Sequence, residues 1–146
     1  MRTSPTQTVP GRTEIERRAT VVGAGVQTAV FVALYAAGVP LVVTIASVGV
    51  GGFVAGWVGR DSDAGYANGL AAATLGVVTS WLGAALFAWV NAAGLAASVR
   101  GDIAFLTGVL GLAIVSVFVP VWIVVGAVTG VVGARLPVDP PGFLAG

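Results

Sequence analysis

Apolar residues fill four long stretches of this chain, and charged residues lie almost entirely outside those stretches. The apolar runs cover about residues 19–37, 39–59, 66–91 and 103–135, and their only charged residue is Arg135 at the end of the last run. At 1.5 Å of rise per residue, a helix of each length crosses a bilayer core of ~30 Å. The pattern predicts an all-α, polytopic membrane protein with four transmembrane helices.

Polar segments at both ends divide the chain into a bundle and two tails. Residues 1–18 are predicted to form a polar cytoplasmic tail with a short juxtamembrane helix, because Thr13 and Glu16 match a capping box ahead of the first apolar run. Residues 19–136 are predicted to form the four-helix bundle, and the Pro-rich residues 137–146 a second cytoplasmic tail.

A cleaved secretory signal is the alternative interpretation of the N-terminal region. The twin arginine at residues 17–18 precedes an apolar stretch, as the twin-arginine export route requires. However, no Ala-x-Ala site closes the stretch, and a second apolar run follows at once. The sequence favours a retained first span.

The arginines predict how the spans are oriented. With the N-terminus inside, six arginines fall in cytoplasmic segments and only Arg100 falls outside. The six are Arg2, Arg12, Arg17, Arg18, Arg60 and Arg135. By the positive-inside rule, we predict a multi-pass protein of the cell membrane with both termini in the cytoplasm.

Small residues recur at helical spacing in three of the four runs. Steps of three and four residues place them on one narrow face of a helix, where a second helix can approach closely. The predicted packing positions are Gly49, Gly52, Gly56 and Gly59 in the second run, Gly69, Ala73, Gly76, Ser80 and Gly83 in the third, and Gly126, Gly130 and Gly133 in the fourth.

These stripes also predict which helices pair. Since the second and third runs are joined by a short connector, we expect an antiparallel hairpin in which their glycine stripes face each other, and two such hairpins in the bundle. Gly51 lies on the opposite face of the second run and is predicted to tolerate a larger side chain. The pattern G-x-V-x-G-x-V-G occurs at residues 52–59 and again at 126–133. Internal duplication would explain this repeated pattern. Chance would also explain it, because glycine and valine are so frequent in this chain.

The composition offers few groups for chemistry. Charged residues make up 9% of the chain, against roughly 25% in an ordinary soluble domain. Histidine, cysteine and lysine are absent, and no charged residue lies inside a span, where ion-coupled transport normally needs one. The net charge of +1 gives no basic surface for nucleic acid. We therefore predict no catalytic residue, no cofactor and no metal ligand, and a protein that is not an enzyme.

Polar side chains inside the spans are expected to bond to neighbouring helices or to their own backbone carbonyls. Gln27 is the best exception, because a large amide near mid-span can line a polar cavity or pair across a dimer. Pro120 is predicted to kink the last helix and to free carbonyls near Ser116. The tryptophans of the spans are expected to pack or to lie at membrane interfaces rather than to enclose a ligand: Trp81, Trp89 and Trp122.

The sequence G-G-F-V-A-G-W at residues 51–57 runs into an Arg/Asp/Gly connector and a Gly/Ala-rich third run, and Gly-Ala-Arg at residues 133–135 closes the fourth. In these features the chain resembles a group of small haloarchaeal membrane proteins of unknown function. The likeness covers about residues 39–136 and does not extend to the arginine-bearing N-terminal tail. It implies an archaeal four-helix membrane protein and implies no activity.

Two functional hypotheses follow from these patterns. The first is a structural or accessory subunit of a membrane assembly, which has the lipid bilayer as its environment and itself or another membrane protein as its partner. Three glycine-bearing spans support it, since one bundle needs fewer close-packing faces. The alternative is a small channel or transporter formed by an oligomer, with a path lined by Gln27, Ser80 and Ser116 and with Pro120 as its flexing point. Several polar side chains facing one water-accessible cavity would favour the alternative.

Overall fold

Five helices account for nearly all of the described chain. The structure is a computed structural model, and it describes residues 15–59 and 64–138. The helices are α1 (Arg17–Ala36), α2 (Leu41–Ala46), α3 (Val48–Gly59), α4 (Gly65–Asn91) and α5 (Ala97–Ala134). Within the described residues there is no strand, and four helical segments, of which α2 and α3 together make one, are long and apolar enough to cross a membrane. The predicted all-α class and the four candidate spans are confirmed.

Some predicted features lie outside the described residues. These are Thr13 of the proposed capping box, the connector at residues 60–63 and the tail from residue 139 onward. The start of α1 is described, and it falls at Arg17, inside the predicted tail. There the backbone N–H of Glu16 donates to the Asn68 side-chain oxygen over 2.8 Å, which ties the start of α1 to α4.

The last helix begins six residues earlier than predicted, at Ala97 instead of residue 103. The charges of Arg100 and Asp102 do not end it, because a helix of 38 residues spans about 57 Å and so extends beyond a bilayer core of ~30 Å. The Arg100 guanidinium lies 4.1 Å from the centre of the Trp89 ring, and its Nε donates to the Trp89 carbonyl over 2.9 Å. Residues 92–96 therefore form a short turn, and α5 follows from Ala97.

The second span is broken at Ser47, where a continuous helix was predicted. Around the break, backbone hydrogen bonds join residues three apart instead of four, from Ser47 N to Thr44 O (3.2 Å) and from Val50 N to Ser47 O (3.0 Å). This is the tighter 3₁₀ pattern. Residues 42–45 read V-V-T-I, and such β-branched side chains are stiff in a helix and lower its propensity. The break divides the span into α2 and α3.

The two middle helices separate the outer two. Both α3 and α4 pack against α1 on one side and α5 on the other, and they also contact each other. Across the described residues, α1 and α5 do not pack together. We call the end of the bundle where Glu16, Gly59, Asn68 and Ala134 lie the terminal end, because α1 begins and α5 finishes there.

Glycine backbones touch in the half of the bundle next to the terminal end. A β-carbon built on Gly52 would lie 2.5 Å from the Gly126 carbonyl oxygen, and one on Gly56 would lie 2.7 Å from the Gly130 carbonyl carbon. Gly52 and Gly56 hold the same places in the repeated motif as Gly126 and Gly130. The two copies therefore pack against each other in parallel and in register.

The glycine stripe of α4 does not face the stripe of α3, so that prediction is wrong. A β-carbon on Gly69 would lie 2.8 Å from Gly130 Cα of α5, whereas one on Gly83 would lie 2.9 Å from Val32 Cγ2 of α1. The physical reason is that α5 carries its own glycines. Its backbone enters the groove between α3 and α4, so Gly52 and Gly56 of α3 and Gly69 of α4 meet α5.

The remaining small-residue positions also lie against other helices of the same chain. Gly49 faces Thr129 and Val125 of α5, at 3.4 Å from its β-carbon position, and a β-carbon on Gly133 would lie 2.9 Å from the Trp57 backbone nitrogen. On α4, Ala73 is buried against Gly126. Near the terminal end, a β-carbon on Gly59 would lie 2.5 Å from Asn68 Nδ2.

Candidate functional site

Away from the terminal end the helices diverge around a cavity of about 270 Å³. Its wall includes the aromatic side chains Phe31, Tyr35, Trp81 and Trp122, and each of the five helices contributes to it. The lining includes one glycine, Gly111, whereas glycines of α3, α4 and α5 meet each other nearer the terminal end. At ~30 Å³ for each water molecule, the volume corresponds to about nine waters.

Gln27 forms the floor of this cavity, held in a notch between two glycines. A β-carbon on Gly51 of α3 would lie 2.7 Å from Gln27 Cβ, and one on Gly76 of α4 would lie 2.8 Å from Gln27 Nε2. Only glycine leaves room for the amide at either position. The prediction that Gly51 tolerates a larger side chain is therefore wrong, because α3 is packed on two faces, with Gly51 toward α1 and Gly56 toward α5.

Three polar side chains that line the cavity are buried and have no hydrogen-bond partner within the described chain. Gln27 is 1% exposed, Ser80 is 3% exposed and Trp122 is 7% exposed. The partnerless atoms are both amide atoms of Gln27, the hydroxyl of Ser80 and the indole nitrogen of Trp122. An unsatisfied buried polar group costs about 1–3 kcal/mol. All three side chains border the same cavity, but these atoms themselves have almost no accessible surface, so a molecule bound there would reach them only after a small side-chain adjustment.

Other polar side chains of the helices behave as the sequence predicted. Thr74, Thr129 and Ser116 each donate to the carbonyl four residues earlier, at 2.8–2.9 Å. Three further buried atoms without partners, on Thr20, Ser47 and Asn68, are not among those lining the cavity. The contrast separates Gln27 and Ser80 from the hydroxyls that simply bond to their own helix.

The structure brings together two of the three side chains predicted to line a path. Gln27 and Ser80 share the cavity, but Ser116 is exposed and its hydroxyl donates to Leu112 O. Ser116 does not line the cavity because Val115 does, and the next residue on a helix lies about 100° further around. Pro120 is also exposed, and α5 remains helical on both sides of it.

Trp81 and Trp122, predicted to pack or to lie at a membrane interface rather than to enclose a ligand, both line the cavity. Trp122 is almost fully buried, and Trp81 donates from Nε1 to the Gly108 carbonyl over 2.9 Å, with its ring edge over Gly111. Their position near the middle of the apolar runs was a usable signal, because tryptophans of an interfacial belt lie near the ends of a span.

The side wall of the cavity is the broken second span. Ile45 and Val48 both line the cavity, one on each side of the break at Ser47. Irregular backbone inside a membrane span is tolerated where it is buried in protein or faces a cavity. In the described part of the chain, α2 does not pack extensively against α5.

The chemistry available in the cavity is limited to neutral hydrogen bonding and apolar contact. None of its lining residues is charged, and among the described residues no group of three or more His, Cys, Asp or Glu side chains could hold a metal ion. Comparisons with protein families, with curated proteins and with solved structures found no match to this chain. The cavity is therefore the feature of this chain from which a function can be inferred.

Proposed function

We propose that this chain is a multi-pass membrane protein that binds a small neutral molecule inside its helix bundle. The observation that carries the proposal is the convergence of Gln27, Ser80 and Trp122, all buried and without partners, on one cavity. Ligand pockets are typically apolar, with a few placed polar groups that fix the orientation of the ligand. This cavity has that composition.

The four apolar spans support a bilayer as the surroundings of the bundle. Many large apolar side chains of the described helices are exposed, among them Phe105, Leu110 and Val117 of α5. Contiguous exposed apolar surface of this kind suits contact with lipid. The six-to-one arginine distribution supports cytoplasmic termini, so the cavity lies in the outer half of the membrane.

Close packing near the terminal end favours a binding protein over a pore within one chain. There the backbones of Gly56, Gly69 and Gly130 meet at distances that exclude even a methyl group. The cavity lining does not extend past Gln27 on α1 into this glycine-packed half. A continuous path across the membrane would have to run elsewhere, between several copies of the chain.

The hypothesis of an accessory subunit loses one of its supports. It rested on the expectation that three glycine-bearing spans offer more close-packing faces than one bundle needs. In the structure, the predicted packing glycines all have close neighbours inside the chain. Partnership with another copy or with another membrane protein remains a prediction. We expect a monomer, because each of the three predicted glycine stripes is covered by other helices of the same chain.

Native mass spectrometry of the purified protein in nanodiscs tests the proposal. We expect a monomer that retains a small neutral molecule, visible as a defined mass increment. Gln27→Met should remove the increment, because methionine has a similar length but no amide. Ser116→Ala is the matched control and should keep it, since Ser116 lies outside the cavity. A wild-type protein without any increment, or an increment that survives in Gln27→Met, would contradict the proposal.

A further inference from the structure

We infer that the cavity selects a flat, neutral ring molecule that carries carbonyl oxygens; this inference rests on the proposed binding function. The polar side chains at the cavity wall carry several hydrogen atoms without a partner. Trp122 Nε1 can only donate, the Gln27 amide nitrogen offers two hydrogens, and the Ser80 hydroxyl offers one. The Gln27 and Ser80 oxygens each carry two lone pairs, so these two side chains can both donate and accept. The hydroxyls of Tyr35 and Thr107, which also line the cavity, can do the same. Trp122 Nε1 can only donate, so a bound molecule has to supply an acceptor atom for it.

Charge complementarity restricts the ligand further. No charged side chain lines the cavity, and no metal-binding cluster occurs among the described residues. A charged ligand entering this site would lose its hydration without gaining a counterion, which is strongly unfavourable. A carbonyl group supplies two lone pairs and no charge, so it meets the donors at low cost in desolvation.

The shape of the wall indicates a flat ring. Aromatic side chains from three helices border the cavity, and neighbouring rings hold them in place. Trp122 stacks on Phe118 with ring centres 6.1 Å apart, and Tyr35 meets Phe87 edge-on at 5.7 Å. Aromatic rings favour offset-stacked or edge-to-face contact with another ring. The volume of about 270 Å³ lies near the small end of ligand pockets, which suits one or two fused rings.

Two probes of the same shape separate recognition of the carbonyl from simple apolar filling. The probes are 1,4-naphthoquinone, which has two ring carbonyls, and naphthalene, which has none. Binding to the protein in nanodiscs is measured by equilibrium dialysis against empty nanodiscs. We expect the quinone to bind at least about tenfold more tightly, since one hydrogen bond to a buried donor is worth about that factor. Its infrared carbonyl band should move to lower frequency on binding.

Variants assign the preference to named donors. Trp122→Phe keeps a ring but removes the N–H, so we expect it to weaken quinone binding about tenfold and to leave naphthalene binding nearly unchanged. Ser80→Ala is a second, smaller change that tests the same point if Trp122→Phe folds poorly. Trp89→Phe is the control, because the Trp89 ring lies under Arg100 and outside the cavity.

The outcomes distinguish this inference from the proposed function. Equal affinity for both probes would overturn the carbonyl preference while leaving a binding cavity in place. Binding of neither probe, together with a native mass that shows no retained molecule, would overturn both, and would indicate a cavity filled with water alone. An unshifted carbonyl band in the bound quinone would also overturn the inference.

Discussion

Gly56 and Gly25 both lie inside helices but meet different surroundings. The open face of Gly56 abuts the backbone of Gly130, whereas a β-carbon on Gly25 would have nothing within 4 Å. At Gly51 and Gly76 the free space is taken by the Gln27 side chain. Gly38, in the turn after α1, has a φ of 71°, a left-handed conformation that L side chains rarely adopt. Glycine therefore has a different physical role at each of these positions.

The first prediction compares one substitution at two glycines. Gly56→Ala should lower the free energy of unfolding by about 1–3 kcal/mol, because the added methyl group overlaps backbone that cannot move aside. Gly25→Ala should raise it by up to ~1 kcal/mol through helix propensity alone. Unfolding titrations with sodium dodecyl sulfate in mixed micelles measure both. Similar effects from the two variants would contradict the close glycine contact.

The second prediction concerns the energetic cost of Gln27. In ligand-free protein, Gln27→Met should raise the free energy of unfolding by about 1–3 kcal/mol, because it removes buried polar atoms that have no partner and keeps the side-chain volume. Asn68→Leu is the control with the opposite sign, because Asn68 Oδ1 accepts from Glu16 N. If Gln27→Met is destabilising, the amide is satisfied in the folded protein.

At the scale of elements, the break at Ser47 gives α2 and α3 different supports. The six residues of α2 are fewer than an isolated helix needs, and α2 has little packing of its own. The twelve residues of α3 are held by glycine contacts to α1 and α5. The wall of the cavity therefore contains its least supported helix.

The third prediction is that this difference appears in hydrogen exchange. Backbone amides of residues 42–47 should exchange at least about tenfold faster than those of residues 51–58, because local opening there breaks fewer packing contacts. The comparison is made by mass spectrometry in nanodiscs, with residues 69–76 of α4 as a protected reference. Equal protection of the two segments would show that the second span moves as one rigid helix.

The repeated glycine motif shows that equal spacing does not make two helices equivalent. Gly52 and Gly126 touch, yet the open face of Gly52 is turned toward α5 and the open face of Gly126 toward Ala73 of α4. In the first copy Gly56 also faces α5, but Gly59 faces Asn68 of α4. In the second copy Gly130 faces α4 and Gly133 faces α3. The duplication hypothesis stays open, because in-register contact is compatible with common ancestry and with convergence.

At the scale of the whole molecule, the bundle is closely packed near one end and hollow toward the other. Glycines close the half next to the terminal end, and aromatic side chains separate the helices beyond it. If the termini are cytoplasmic, ligand reaches the cavity from the outer leaflet or from the outside solution. The direction of insertion therefore matters for the proposed function.

The fourth prediction fixes that direction. The chain has no cysteine, so single cysteines can be introduced without removing native ones. On intact cells, a membrane-impermeant maleimide should label Gly94→Cys, in the turn between α4 and α5, and leave Thr3→Cys unlabelled until the cells are lysed. Gly94 has open space around it, so the substitution should not disturb folding. The reverse labelling pattern would contradict cytoplasmic termini.

The sequence by itself determined the four spans and many of the close-packing positions. Helix formation in an apolar medium is a local requirement, since every backbone N–H and C=O must be paired within its own segment. A long apolar run is therefore enough to predict a spanning helix. The break at Ser47 and the early start of α5 at Ala97 could not be predicted from the apolar pattern. The break depends on packing, and the early start belongs to helix that extends beyond the bilayer core.

Only the tertiary structure decided which neighbour each helical face meets. Periodicity gives the direction of a side chain around its own helix, but it does not say which helix lies in that direction. For this reason the stripe on α4 was assigned to the wrong partner, and Gly51 to an open face. The meeting of Gln27, Ser80 and Trp122 depends on three helices at once. The candidate site is therefore a property of the packed bundle, although each of its residues was present in the sequence.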